Sequence, residues 1–241
     1  MIAKRQAYEF LESLKARLEQ ELPSPVKMQH HVDEIVKTAH NDPSKKHLAG
    51  REHAFINAIA TPILFKALCD YPAMTPELAK EAFLSESFRN LPEYSCASPA
   101  RRLRHPFNKA LNTDAATIYQ QWCGESQSQP LTQSCPDFAF RSPFPHRIVF
   151  EAKYFLQGSR AKAQRELVEN AYQAFFYRAL PPDHAETSRP DWDYEYSCLF
   201  AYDASPEGLL LDAWRQLAPE VKHGFWEGAN VYIMVLRGTQ I

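Results

Sequence analysis

The segment RIVFEAKYFL, residues 147–156, constrains this chain more than any other. Side chains alternate across a β-strand. Val149, Glu151, Lys153 and Phe155 therefore share one face, and Ile148, Phe150, Ala152 and Tyr154 share the other. The strand is apolar enough to be buried, yet it carries an acid and a base at its centre. Burying either charge alone is costly. The fold must compensate both charges at this one place, by an ion pair or by a metal ion with a neighbouring carboxylate.

A candidate for that carboxylate lies upstream. Pro136-Asp137 opens the short apolar run PDFAF, and thirteen residues separate Asp137 from Glu151-Ala152-Lys153. The turn RSPFPH between the two runs suits an antiparallel hairpin that brings Asp137 beside Glu151. Two carboxylates converging on one hard cation suit Mg²⁺, which binds oxygen ligands. A cation so placed favours deprotonation of a bound water, and Lys153 stands two residues on, where it can orient that water or stabilise a phosphoryl transition state. Glu151 and Lys153 also fit a plainer reading, an ordinary ion pair on a half-exposed strand.

The rest of the chain divides by periodicity. Residues 1–123 read as a helical region for substrate contacts or oligomerisation. Ala7, Phe10, Leu11, Leu14 and Leu18 form an i, i+3, i+4 stripe that ends at Pro23 and Pro25. Val32, Ile35 and Val36 mark a second helix, and Phe55, Ile59, Ile63 and Leu64 a third, disturbed near Pro62. Thr75-Pro76 and Ser98-Pro99 are helix starts with proline in the first turn. The polar run GESQSQPLTQS from Gly124 is the boundary. In residues 124–241 the expected order is PDFAF, RIVFEAKYFL, a helix over 159–180, the strand YEYSCLFAYD, a helix opened by Ser205-Pro206, and the strand NVYIMVLRG. The long helix should bury Leu167, Val168, Ala171, Tyr172 and Phe175. Helices between the later strands imply a mixed sheet with parallel crossovers.

Composition removes several function classes. The seven glycines are isolated, so GxGxxG, GxxxxGK[ST] and GxSxG are all absent, and dinucleotide, P-loop and α/β-hydrolase chemistry lose their supports. The five cysteines are scattered without a CxxC pair, which argues against a disulfide framework or a zinc ribbon. No run of about 18 apolar residues could cross a membrane, and the charged N-terminus has no signal-peptide core. A cytoplasmic protein with no membrane partner is expected. The formal charge of −2 permits nucleic-acid binding only through a local basic groove.

Residues 136–237 resemble the PD-(D/E)xK, or restriction-endonuclease-like, superfamily through Pro136-Asp137, Glu151-Ala152-Lys153 and the strand–helix–strand continuation. The resemblance implies an α/β fold, a restriction-endonuclease-like mixed β-sheet flanked by helices, here with a helical N-terminal half. It implies that Asp137 and Glu151 ligate Mg²⁺, with Mn²⁺ able to substitute, that the Ala152 carbonyl is a further ligand, and that Lys153 is the catalytic lysine. Gln173 and Tyr177, four apart on a helix face, resemble the QxxxY element of RecB-like members, whose glutamine sits near the active site. The plainer reading is a polar–aromatic pair on a helix surface.

Members often carry another acid on an early core helix. Glu52 and Glu125 are the candidates, and neither is assigned to the core site. Arg101, Arg102, Arg104, His105 and Lys109, and separately Arg160, Lys162 and Arg165, could contact phosphates. The expected activity is Mg²⁺-dependent hydrolysis of DNA, as an endonuclease of restriction or defence type and possible homodimer. The alternatives are a RecB-like repair exonuclease and a noncatalytic nucleic-acid-binding module.

Overall fold

The computed structural model describes residues 2–85, 137–179 and 194–239. Two long helices open the chain, α1 (Ile2–Glu21) and α2 (Pro25–Asn41). Ala7, Leu11, Leu14 and Leu18 of α1 are buried, as the stripe requires. A 3₁₀ turn over Pro43–Leu48 takes up the polar break. A continuous helical rod then runs through α3 (Arg51–Ala54), a π-helical turn (Phe55–Ala60) and α4 (Thr61–Cys69). The π turn lies just before Pro62, whose ring and missing N–H disturb the regular ladder. Both the N–H and the hydroxyl of Thr61 bond the Ile56 carbonyl there. Helix α5 (Pro76–Ala82) starts on Thr75, whose hydroxyl accepts the Leu78 N–H at 3.3 Å.

The chain then enters a five-stranded open mixed sheet. Strands β1 (Phe83–Ser85), β2 (Phe138–Phe140), β3 (Ile148–Phe155), β4 (Tyr196–Asp203) and β5 (Val231–Leu236) lie in sequence order. The first two pairings are antiparallel and the last two parallel. Helix α6 (Arg160–Ala179) crosses from β3 to β4, and α7 (Leu209–Gln216) and α8 (Pro219–His223) lie between β4 and β5.

β1 corrects the all-helical expectation for the N-terminal region. Three residues are too short to display a strand period, and Phe83 is held by stacking on Phe138 and by a tilted contact with Phe140, at 6.0 and 5.7 Å between ring centres. A second correction concerns the helix expected from Ser205-Pro206. Helix α7 begins at Leu209, after Gly208 at φ +73°. The intervening turn is organised by buried Asp203, which accepts the N–H groups of Ser205, Leu210 and Leu211 at 3.0 Å each. Gly208 takes the left-handed backbone that a side chain would resist.

Two cores cover the two sheet faces. Ile148, Phe150, Ala152 and Tyr154 of β3 pack with the buried faces of α1, α2 and the α3–α4 rod. Phe155 packs on the opposite side with Ala163, Leu167, Ala171 and Ala174 of α6 and with α7. Fully burying a residue such as Phe150 contributes roughly 2 kcal/mol, so the alternation along β3 fixes which face each helical layer covers. Val168, Tyr172 and Phe175 of α6 are half-buried, and the alanines and Tyr177 take the buried positions. Among the described residues no helix is long and apolar enough to cross a membrane.

Candidate functional site

β2 pairs with only the first part of β3, through Phe138↔Phe150 and Phe140↔Ile148. At the end of that pairing the Asp137 N–H still bonds the Phe150 carbonyl, at 3.1 Å, so the ladder stops advancing along β3. The next N–H that β3 presents to this edge is that of Ala152. Its partner is the Asp137 side chain, whose Oδ2 accepts it at 2.7 Å. A carboxylate thus replaces a strand at the point where two strands part. The N–H and C=O of one strand residue point the same way. The Ala152 carbonyl is therefore directed to the same open edge as Asp137.

Glu151 and Lys153 occupy the face of β3 that α6 covers. Lys153 Nζ lies 2.9 Å from Glu151 Oε1 and 3.0 Å from Glu52 Oε1. Glu151 is 2% exposed, and its Oε2 is buried without a hydrogen-bond partner among the described residues. Gln173 donates to the Tyr177 hydroxyl at 2.6 Å. Tyr177, buried on α6, stands beside the Glu151 carboxylate, where its hydroxyl favours the ionised form. The sequence-derived residues Asp137, Glu151, Ala152 and Lys153 are brought together directly, and Gln173 reaches them through Tyr177.

The electrostatics follow from this packing. Desolvation pushes the Asp137 carboxyl well above its ordinary range, and the negative charge of Glu151 adds to the rise. Burial also raises Glu151, against the opposing effects of Lys153 and Tyr177. For Lys153, burial works to lower the pKa. The carboxylates of Glu151, Glu52 and Asp137 outweigh it and raise the ammonium above its ordinary value. Lys153 is accordingly a fixed cation here, suited to holding an anion or a water but not to acting as a base.

Among the described residues no group of three or more His, Cys, Asp or Glu side chains is arranged to hold a metal ion. The donor set that suits Mg²⁺ is smaller: two carboxylates and one backbone carbonyl, the remaining positions being left to water. The unpartnered Glu151 Oε2 and the two raised carboxyl pKa values fit such an ion, because a cation would satisfy the one and reverse the other.

Two side chains had no role assigned from sequence. Glu52 was one of two candidate acids. It comes from the N-terminal helical layer, 101 positions before Lys153, a separation that no local pattern reports. Tyr177 was visible only as the second half of the Gln173 pair. Its burial against Glu151 depends on α6 lying across β3. The other candidate acid, Glu125, lies outside the described residues, as do the cluster Arg101–Lys109 and the boundary run after Gly124. Of the second basic cluster, Lys162 and Arg165 pair with Glu166 and Glu169 one turn on, at 3.5 and 3.7 Å.

No family model matches the chain, and no curated protein or solved structure matches it.

Proposed function

We propose that this protein is a Mg²⁺-dependent nuclease of the PD-(D/E)xK type that hydrolyses DNA phosphodiester bonds, acting as an endonuclease with Mn²⁺ as a substitute ion. The observation that carries the reading is the meeting of Asp137, Glu151 and Lys153 where β2 and β3 part, with one oxygen of buried Glu151 left unpartnered. A structural ion pair needs only Glu151 and Lys153. The second carboxylate, Asp137, sits beside them at an energetic cost that the hydrogen bond from the Ala152 N–H only partly offsets.

Asp137 and Glu151 would hold the ion, assisted by the Ala152 carbonyl. When bound, Mg²⁺ supplies charge neutralisation at the phosphate and a more acidic water. Lys153 holds a permanent positive charge towards the attacked phosphate, where developing negative charge is stabilised. Glu52 and Glu151 fix the position of that ammonium. Tyr177, oriented by Gln173, fixes the carboxylate of Glu151.

A second reading is favoured by one observation. The Gln173–Tyr177 hydrogen bond, with Tyr177 buried beside Glu151, fits the QxxxY element of RecB-like exonucleases. Supercoiled and linear DNA separate the two. An endonuclease nicks and linearises covalently closed plasmid, and an exonuclease degrades only DNA with ends. Wild-type protein should cleave with Mg²⁺ or Mn²⁺ and stop in EDTA, and Glu151→Ala should be inert. Equal cleavage by Glu151→Ala and wild type, from matched preparations, overturns the nuclease reading. A restriction or defence role, a cytoplasmic setting and a homodimer rest on the superfamily resemblance alone.

A further inference from the structure

A groove lies away from this site, at the far edge of the sheet. It has a volume of about 690 Å³, within the range of ligand-binding clefts. Its walls are α1 on one side and the α7–α8 region with the following π turn on the other. Val231, Tyr232 and Ile233 all line it. Consecutive strand residues point to opposite faces, so the groove wraps around the edge of β5.

Its chemistry differs from that of the chain as a whole. The formal charge of the protein is −2, but the groove is lined by four Lys or Arg side chains against two carboxylates. Both carboxylates are already engaged, Glu227 by Lys4 at 3.2 Å and Glu12 by the Tyr232 hydroxyl at 2.6 Å, and Arg5 pairs with Glu9 at 2.8 Å, so the surplus rests on Lys15 and Lys222. Lys15 has no ion-pair partner among the described residues. Two of the cations sit over indole rings, Lys4 at 5.4 Å from Trp226 and Lys222 at 5.3 Å from Trp214. Tyr8 packs against Trp226 at 5.4 Å and is 39% exposed, an aromatic surface left open to solvent.

Trp226 and Tyr232 are buried, so exposed Tyr8 and half-buried Trp214 are the rings offered to a ligand. Cations beside such rings are the pattern that binds single-stranded nucleic acid, where phosphates meet the charges and bases stack on the rings. We infer that the groove between α1 and the β5 edge binds a short single-stranded nucleic-acid segment. It shares its ligand class with the nuclease reading but rests on residues outside the Asp137–Lys153 site. It would give the enzyme a hold on an unpaired strand separate from the place of cleavage.

The test is binding of a fluorescent dT12 oligonucleotide to the full chain in EDTA, followed by anisotropy across a salt series. Lys15→Glu combined with Lys222→Glu should weaken binding at least about tenfold and reduce the log–log salt slope by about 1.4, the value for two phosphate contacts on a single strand. Tyr8→Ala should weaken it about fivefold or more. A 4-thiothymidine oligonucleotide should crosslink wild-type protein at Tyr8 or Trp214, which checks the site without any variant. Lys15→Gln with Lys222→Gln serves if the charge reversal does not fold. Unchanged affinity in the folded variants, with crosslinks elsewhere, overturns the inference. So does a wild-type dimer that the same variants make monomeric at unchanged oligonucleotide affinity, since a second copy would then be the occupant. Plasmid cleavage in Mg²⁺ is scored separately. Cleavage with groove-independent binding removes only the groove, and groove-dependent binding without cleavage removes only the nuclease.

Discussion

Glu52 and Lys153 meet at 3.0 Å across 101 positions of sequence, one from the N-terminal helical rod and the other from the central parallel strand. Glu151 holds the same ammonium from its other side at 2.9 Å. The lysine is therefore clamped between acids that belong to different layers of the fold.

Glu52→Gln should separate positioning from folding. The Glu52 side chain is 43% exposed, so its ion pair contributes little to stability. The melting temperature should stay within about 2 °C of wild type, while single-turnover cleavage in Mg²⁺ falls roughly 3- to 10-fold. Restoration by Glu52→Asp is not expected, since the shorter side chain does not span the distance. A wild-type cleavage rate in Glu52→Gln would remove Glu52 from the site.

Lys153→Met should behave differently. Removing one partner of a buried ion pair strands the other and costs about 3–5 kcal/mol. Thermal denaturation in EDTA should show the loss, and Mg²⁺ should return part of it by neutralising Glu151 and Asp137. Cleavage should fall about 100-fold or more, the usual effect of deleting a group that stabilises developing charge. A variant as stable as wild type in EDTA would contradict the ion-pair geometry.

Asp137 carries a pH prediction. Its folded-state pKa is raised by desolvation, so the folded chain keeps this proton to higher pH than the unfolded chain does. Its contribution to stability therefore declines as pH rises from about 4, the ordinary carboxyl value, through the raised folded value. Asp137→Asn keeps an acceptor for the Ala152 N–H and removes the charge. In EDTA at neutral pH it should melt on the order of 2–4 °C higher than wild type, and the difference should vanish at acid pH. Saturating Mg²⁺ should reverse the order, since only the wild-type carboxylate gains from the ion. A flat pH profile of the difference would show that Asp137 is not desolvated.

Asp203→Ala tests the fold rather than the site. This side chain accepts the Leu210 and Leu211 N–H groups in the first turn of α7 and the Ser205 N–H. Losing a buried cap of this kind costs about 2 kcal/mol, and the urea midpoint should fall accordingly. Metal-dependent cleavage by the folded fraction should persist.

What could be read in the sequence was local. The alternation in residues 148–155 is a two-residue period imposed by strand geometry, so Glu151 and Lys153 could be assigned to one face, and the short turn after PDFAF put Asp137 beside them. Helix α1 was legible for the same kind of reason, a stripe every three or four residues. Glu52 and Tyr177 were harder to place, because their roles depend on how a helical layer lies over a strand and not on spacing along the chain. The start of α7 was misplaced because Ser205-Pro206 has the composition of a cap. Ser205 does accept the first helical N–H, that of Leu209, through its hydroxyl, but the longer-range acceptor Asp203, at the end of β4, takes the next two.

The three-residue length of β2 has a consequence for how reliably the hairpin assembles. So few ladder bonds give little discrimination between neighbouring registers. The hairpin therefore takes its register from β3, which is held by its eight-residue pairing with β4 and by the charges it carries. Slipping β3 by one position relative to the layers around it would turn Glu151 and Lys153 into the phenylalanine-rich core beneath α1 and the α3–α4 rod, and would turn Phe150 out. Glu151 and Lys153 therefore also bear on the register of β3, because a slipped strand would bury both of them in hydrocarbon at a high penalty.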